Sequence, residues 1–187
     1  MSRQVKNIIA ITVFLICIGL INVAGQNIEI EIRGMNAFTF ILIIAVLLQV
    51  IFFIPSFLLK TEKYYDLVGS LTYITTVSLA YFAVENKTMI DSIIYFYVMV
   101  WASRLGIYLF RRVRNDGKDV RFEKAKRHLF WFLQYWMGQA LWVSLTACAA
   151  IIAILSPEDD TLPMLAIVGM ALWLSGFTIE SISDYQK

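Results

Sequence analysis

Two carboxylates lie four residues apart near the end of the sequence, in the segment GFTIESISDYQK. At this spacing Glu180 and Asp184 share one face of a helix, where two negative charges repel each other unless a cation or a proton compensates them. Arg104 lies inside an otherwise apolar run, and an ionisable side chain at membrane depth is costly and marks a candidate functional site. We therefore expect Arg104 to pair with these two carboxylates.

A stripe of polar and aromatic residues surrounds Arg104. On a helix Tyr97, Trp101, Arg104, Tyr108 and Arg111 fall on one face, which favours a face turned toward the protein interior. The alternative is that Arg104, about 10 Å from the basic end of its helix, extends its guanidinium to the membrane surface.

A third acid and two glutamines are further candidates for the same site. Asp66 opens the third apolar segment on the side where Arg104, Glu180 and Asp184 are expected, so all four could meet there; helix capping is the alternative for Asp66. Gln134 and Gln139 on the fifth segment could line the same cavity, or could form hydrogen bonds between helices.

Composition determines which elements can position these residues. Of the 187 residues, 59% are hydrophobic and only 16% are charged, whereas a soluble domain carries about a quarter charged residues. Long apolar runs without period-two alternation exclude a β-barrel. The sequence predicts an all-α, polytopic membrane bundle that forms one domain over residues 1–187. Its six predicted transmembrane helices are Ile8–Ala24, Ala37–Leu59, Leu67–Val84, Ile90–Phe110, Leu129–Leu155 and Leu162–Ile182.

Lysine and arginine in the links predict the orientation, because cytoplasmic loops are enriched in them. With both termini placed in the cytoplasm, that side holds thirteen of the sixteen basic residues and the other side holds only Arg33 and Lys87. The segment from Arg111 to Arg127, which we call the basic link, therefore helps to set the orientation of the protein in the membrane. Binding of phosphate groups by this segment is the alternative, more specific role. The cytoplasmic basic residues are Arg3, Lys6, Lys60, Lys63, Arg111, Arg112, Arg114, Lys118, Arg121, Lys124, Lys126, Arg127 and Lys187.

Several site classes have no support in the sequence. Cys17 and Cys148 lie singly in apolar runs and His128 is the only histidine, so no metal site is predicted. No nucleophile–histidine–acid set and no glycine-rich phosphate loop is present. No catalytic residue is assigned, and no nucleic-acid partner is expected; the expected partners are membrane lipids.

Four sequence blocks in register carry a resemblance. EKYYDLVGSLTY, W-x-x-R-L-G-x-Y-L-F-x-R followed by GKD-x-RF, F-x-x-Q-x-x-W and GF-x-I-E-x-x-x-D-x-QK occur in this order between Glu62 and Lys187. These blocks resemble the steroid 5α-reductase-like superfamily, and most closely its uncharacterised branch of bacterial and eukaryotic membrane proteins.

The resemblance implies a helical-bundle enzyme that uses NADPH from the cytoplasmic side to reduce a carbon–carbon double bond conjugated to a ketone in a lipophilic molecule. It assigns cofactor binding to Glu180 and Asp184, and to basic residues that would meet the phosphates. Phe52 and Phe53 replace a Gln-Glu pair of the steroid enzymes, and Trp101 replaces a tyrosine, which argues against a steroid. The basic cofactor-binding positions are Arg104, Arg111, Arg112 and Arg114; the substrate pocket is expected to include Asp66, Trp101, Gln134 and Gln139.

The resemblance also implies that relatives continue past Lys187 with an R-Y-S-R-H-P-N-Y-type motif and at least one further helix. We therefore expect this chain to be incomplete and inactive alone, or to be completed by a second chain. Two other functions stay open: a membrane scaffold or subunit without catalysis, and a relative of membrane methyltransferases that use S-adenosylmethionine. The membrane is the bacterial inner membrane or the endoplasmic reticulum.

Overall fold

The computed structural model describes residues 1–116, 119–156 and 164–186. In this part of the chain there are six long helices, one short β-hairpin and two 3₁₀ turns, at Val120–Phe122 and Ala125–Arg127. A long helix lies at each of the six predicted segments, with ends that differ from the prediction by up to six residues. Lys118, Lys187 and the predicted start at Leu162 lie outside the described residues. The helices are α1 Arg3–Val23, α2 Ala37–Leu58, α3 Tyr65–Ala83, α4 Met89–Asp116, α5 Leu129–Leu155 and α6 Met164–Tyr185.

Short polar side chains define where several helices begin. The Ser2 hydroxyl accepts a hydrogen bond from the Val5 backbone N–H at the start of α1. At the start of α4, Thr88 and Asp91 form a reciprocal pair: the Thr88 N–H donates to Asp91 Oδ2 at 2.8 Å, and the Asp91 N–H donates to Thr88 Oγ1 at 3.2 Å. Such side chains satisfy backbone donors that the first helical turn leaves free.

A β-hairpin between α1 and α2 was not predicted. Strands β1, Glu31–Ile32, and β2, Met35–Asn36, pair antiparallel. Arg33 and Gly34 join them with φ angles of 55° and 77°, as a two-residue hairpin turn requires. Asn36 then caps α2 by accepting from the Thr39 N–H at 3.0 Å. Strands of two residues are too short for alternation to reveal them.

Helix α3 lies at the centre of the bundle, against α2, α4 and α5. Its buried side chains include Thr72, Thr76 and Tyr73, and Thr72 accepts a hydrogen bond from the buried Gln49 Nε2 at 2.8 Å. Polar residues are tolerated there because neighbouring helices, not lipid, surround them.

Five of the six long helices of the described chain, all except α3, are long and apolar enough to cross a membrane. This supports a membrane protein. The polar composition of α3 follows from its central position, since a helix covered by its neighbours does not need an apolar surface.

Close contact between α3 and α4 depends on Gly106. A Cβ atom added at residue 106 would lie 2.7 Å from Ser70 Cβ and 2.8 Å from Ser70 Oγ. We predict that Gly106→Val lowers the free energy of unfolding by about 1 to 3 kcal/mol, because the helices must separate. Thermal unfolding of the purified protein in detergent measures this. Gly19→Ala is the matched control, since nothing lies within 4 Å of that position; an equal loss in both variants would contradict the packing explanation.

Candidate functional site

Helices α4 and α6 meet at a group of charged side chains. Arg104 Nη1 donates to Asp184 Oδ2 at 2.9 Å, and Nη2 of the same guanidinium pairs with Glu180 Oε1. The indole N–H of Trp101 donates to the other Glu180 oxygen at 3.0 Å. The predicted pairing of Arg104 with the two carboxylates is therefore confirmed. We call Trp101, Arg104, Glu180 and Asp184 the α4–α6 charge cluster.

Helical spacing explains how this cluster forms. Trp101 and Arg104 are three residues apart on α4, and Glu180 and Asp184 are four residues apart on α6, so each pair shares a helix face. The Arg104 guanidinium also lies 5.2 Å from the centre of the Phe177 ring, one turn before Glu180. Its side chain is only 22% exposed, and its Nε atom is buried with no hydrogen-bond partner in the described structure. Arg104 therefore contacts α6 and does not extend freely to the membrane surface.

Aromatic rings continue the α4–α6 contact away from the charges. The ring centres of Tyr97 and Trp173 lie 4.2 Å apart, and those of Trp173 and Phe177 lie 4.9 Å apart. Phe177, the last ring of this stack, also contacts the Arg104 guanidinium. Because no α6 residue is buried, these rings and the charge cluster are the principal contacts that fix α6 against α4.

A cavity of about 560 Å³ lies among α1, α3, α4, α5 and the basic link. This volume is typical of a small-molecule site. Its wall includes seven aromatic residues, three of them tryptophans, together with charged and amide side chains. All four predicted substrate-pocket residues line it: Asp66, Trp101, Gln134 and Gln139.

Polar groups inside the cavity are held by nearby partners. The Tyr65 hydroxyl donates to the Tyr135 backbone carbonyl at 2.9 Å, and the Tyr73 hydroxyl forms a short hydrogen bond with Thr146 Oγ1. Gln139 Oε1 is different, because it is buried and has no partner among the described residues. The amide of Gln139 is therefore a group with which a polar ligand atom could form a hydrogen bond.

Asp66 pairs with other arginines than expected. Its carboxylate lies 3.8 Å from Arg112 Nη2 and 3.7 Å from Arg121 Nη2. Asp66 lines the same cavity as Trp101 of the charge cluster, but in the described structure its carboxylate pairs with Arg112 and Arg121 and not with Arg104, because α3 turns Asp66 toward the basic link. The N-cap of α3 is Tyr64, so Asp66 is not the capping residue either.

The basic link supplies the charge at this edge of the cavity. Arg121 lines the cavity, and its Nε donates to Asp119 Oδ2 at 2.9 Å. Burial disfavours the charged form of Asp119, but the hydrogen bonds and charge of Arg121 outweigh it and lower the pKa of the carboxyl. The hydrogen bond to Asp119 in turn raises the pKa of Arg121. Both side chains are therefore charged near neutral pH.

Glu62 fixes the link against the bundle. Its side chain is 3% exposed and accepts a hydrogen bond from Lys126 Nζ at 2.7 Å. The Asp119 backbone N–H donates to the other Glu62 oxygen at 3.2 Å. A buried carboxylate needs such partners, and here they hold both ends of the basic segment near the cavity.

The predicted basic cofactor residues do not gather in one place. Arg104 contacts α6 and Arg112 faces Asp66, whereas Arg111 is exposed. Arg114 is also exposed and lies beside a separate small cavity with Lys63. Neighbours in sequence point in different directions because each helical residue is rotated by about 100° from the last.

An apolar cavity of about 540 Å³ lies between α4, α5 and α6. Tyr97 and Trp173 line it, together with small residues such as Ala150 and Gly169. Within the described ranges, no three His, Cys, Asp or Glu side chains are grouped so that they could hold a metal ion.

Comparison with known proteins places this geometry in a family. Residues 52–187 match the family described as protein of unknown function, DUF1295. The chain belongs to the DUF1295 family. This family is steroid 5α-reductase-like, in agreement with the sequence resemblance. No curated protein and no solved structure matches the chain. The region shared with the DUF1295 family includes the whole charge cluster and all cavity-lining residues except Phe14.

Most cavity residues of this DUF1295 protein were not predicted as site residues, and Tyr65, Tyr73 and Arg121 are the most informative of them. Tyr65 and Tyr73 lie eight residues apart on α3 and so share a face with Gly69, a spacing visible in the sequence. Arg121 was counted only as part of the basic link. Its contact with Asp66 joins residues 55 positions apart, and only the folded link reveals it.

Proposed function

We propose that this protein is a membrane-embedded reductase that uses NADPH to reduce the carbon–carbon double bond of a lipophilic enone. In this reaction a hydride is added to the β-carbon of the enone and a proton to its α-carbon, which gives a saturated ketone and NADP⁺. Family membership supports the reaction class. The observation that carries the proposal is the double contact of Trp101.

Trp101 belongs to both halves of the candidate site. Its ring lines the 560 Å³ cavity, and its indole N–H donates to Glu180 at 3.0 Å. Glu180 and Asp184 are the residues to which the resemblance assigns the nicotinamide nucleotide. A substrate in the cavity and a nucleotide held at these carboxylates would therefore both lie beside Trp101. Hydride transfer would then require the nicotinamide ring to pass this side chain and approach the β-carbon to about 3.5 Å.

The cavity has the properties that a lipophilic ketone needs. Tryptophan and tyrosine rings provide apolar contact area, and only a few polar groups interrupt them. Gln139 and Gln134 offer amide N–H groups that could donate to a carbonyl oxygen. We propose that Asp66, Trp101, Gln134 and Gln139 form the substrate pocket.

The charged residues are suited to bind a nucleotide, but Arg104 would have a different role from the phosphate binding that the resemblance implies. Arg104 already pairs with two carboxylates, so its contribution would be to position Glu180 and Asp184, which can accept hydrogen bonds from nucleotide hydroxyl or amide groups. The nucleotide phosphates would then be bound by Arg112 and the more exposed Arg111, whereas Arg114 lines a separate cavity with Lys63. NADPH supplies the hydride when it is bound.

We propose six membrane crossings, with α3 as the central one and both termini in the cytoplasm. The thirteen basic residues on one side support this orientation. A cytoplasmic position of the charge cluster would give NADPH access, and the lipophilic substrate would enter from the bilayer. The membrane would be the bacterial inner membrane or the endoplasmic reticulum.

NADPH binding in nanodiscs tests the cofactor assignment, with the purified protein supplemented by the R-Y-S-R-H-P-N-Y-type segment that the resemblance implies. We expect Glu180→Gln and Asp184→Asn each to weaken binding about ten- to hundredfold, the range for losing one hydrogen bond to a charged group. Nucleotide fluorescence measures this. Glu29→Gln, an exposed carboxylate in the α1–α2 loop, is the control.

Other outcomes of this experiment favour other functions. Binding of S-adenosylmethionine in place of NADPH would favour the methyltransferase alternative. No binding of either molecule, together with loss of stability in the same variants, would favour a scaffold in which Arg104 only locks α4 to α6.

A further inference from the structure

A small cavity at the basic end of α4 is separate from the substrate cavity. It has a volume of about 320 Å³ and is lined by Lys63, Tyr64, Phe110 and Arg114. None of these residues lines the 560 Å³ cavity. The site therefore needs its own explanation.

Its two cations lack the carboxylate partners that Arg104 and Arg112 of α4 have. Arg104 and Arg112 both lie within 4 Å of a carboxylate, but in the described part of the chain no carboxylate pairs with Lys63 or Arg114. Both side chains are exposed. Two like charges around one small cavity repel each other, and an anion bound between them relieves the repulsion.

The cavity is bounded by two aromatic rings at the depth of a membrane surface. The ring centres of Tyr64 and Phe110 lie 6.2 Å apart with planes 22° from parallel. Helix α4 has 28 residues and is therefore about 42 Å long, whereas the hydrocarbon core of a bilayer is about 30 Å thick. The basic end of α4 thus extends to the headgroup region, where tyrosine is enriched.

We propose that Lys63 and Arg114 bind a phosphate group in this cavity. Arginine offers a planar pair of donors that matches two phosphate oxygens, and lysine adds a mobile point charge. A phospholipid headgroup and a soluble phosphate compound present the same chemistry. The proposal does not depend on the reductase function.

Retention of lipid by the purified protein tests the site. Protein is prepared in nanodiscs of phosphatidylcholine with a minor fraction of phosphatidic acid, and retained lipids are counted by native mass spectrometry. We expect one phosphatidic acid molecule to be retained. Its affinity should be about fivefold lower in Lys63→Gln or Arg114→Gln and about thirtyfold lower in the double variant. These values follow because each basic residue near an anionic surface contributes about 1 kcal/mol of binding free energy. The substituted residues are exposed, so we expect the variants to fold like the unchanged protein. Thermal unfolding checks this.

Arg111→Gln is the matched control, because Arg111 is an exposed arginine on the same helix that does not line this cavity. The same loss in the control and in Arg114→Gln would overturn the proposal, since binding would then depend only on total charge. Methyl phosphate is added in a second arm, with ³¹P NMR as the readout. Its displacement of the lipid supports the site and identifies a soluble phosphate as an alternative source. Binding of neither molecule overturns the proposal.

Discussion

Replacing Arg104 with leucine is expected to lower the free energy of unfolding by about 3 to 5 kcal/mol, the cost of leaving a partly buried charge without its partner. Glu180 and Asp184 would then face each other on one helix face without a cation. The Asp184 side chain is only 13% exposed, so water compensates it poorly. Because α6 has no buried residues of its own, we expect it to separate from α4 first.

A charge-matched set of variants tests this explanation. Arg104→Leu combined with Glu180→Gln and Asp184→Asn should regain most of the lost stability, because the triple variant buries no uncompensated charge. Arg104→Lys should give an intermediate value, since an ammonium cannot span both carboxylates as a guanidinium does. Chemical unfolding in detergent, with amide hydrogen exchange on α6, measures these effects. Equal stability of the single and triple variants would contradict the account.

The second large effect is expected from filling the cavity at Gly69. A Cβ atom at residue 69 would lie 2.3 Å from Gln139 Nε2, so Gly69→Leu must push the Gln139 amide into the cavity and occupy part of its volume. We expect the affinity for a bicyclic enone to fall at least about tenfold, or 1.4 kcal/mol. NADPH binding should not change, because Glu180 and Asp184 lie on another helix.

Tryptophan fluorescence is a suitable readout, since Trp101, Trp131 and Trp142 all line the cavity. Gly176→Leu on α6 is the control, because nothing lies within 4 Å of that position. If Gly69→Leu bound the enone as tightly as the unchanged protein, the cavity would not be the substrate site.

Local patterns in the sequence were sufficient to predict the helices and the charge cluster. Apolar runs of about twenty residues define the helices, but polar residues extend two of them: α1 begins at Arg3, after the Ser2 cap, and not at Ile8, and α4 ends at Asp116 and not at Phe110. The contact of Arg104 with Glu180 was predictable because two carboxylates at helical spacing need a cation, and Arg104 was the buried candidate.

Rotation between helices was not predictable. Whether Asp66 meets Arg104 or Arg112 depends on how α3 is turned about its axis, and periodicity within α3 does not contain that angle. The surroundings of the arginines at the end of α4 were not predictable for the same reason. Arg112 lies near Asp66, Arg114 lines the small cavity with Lys63, and Arg111 is exposed. The contact of Arg121 with the cavity depends on the path of a link with two 3₁₀ turns, which Glu62 and Lys126 fix from outside the helical pattern.

The most direct test of the proposed function is transfer of deuterium. Membranes containing the protein together with the R-Y-S-R-H-P-N-Y-type segment that the resemblance implies are incubated with a lipophilic enone and with NADPH that carries deuterium at the transferable position of the nicotinamide ring. The account predicts a saturated ketone with one deuterium at its β-carbon, and much less of this product from membranes with Glu180→Gln. Reduction without deuterium, or no difference between the protein and control membranes that lack it, would contradict the assignment.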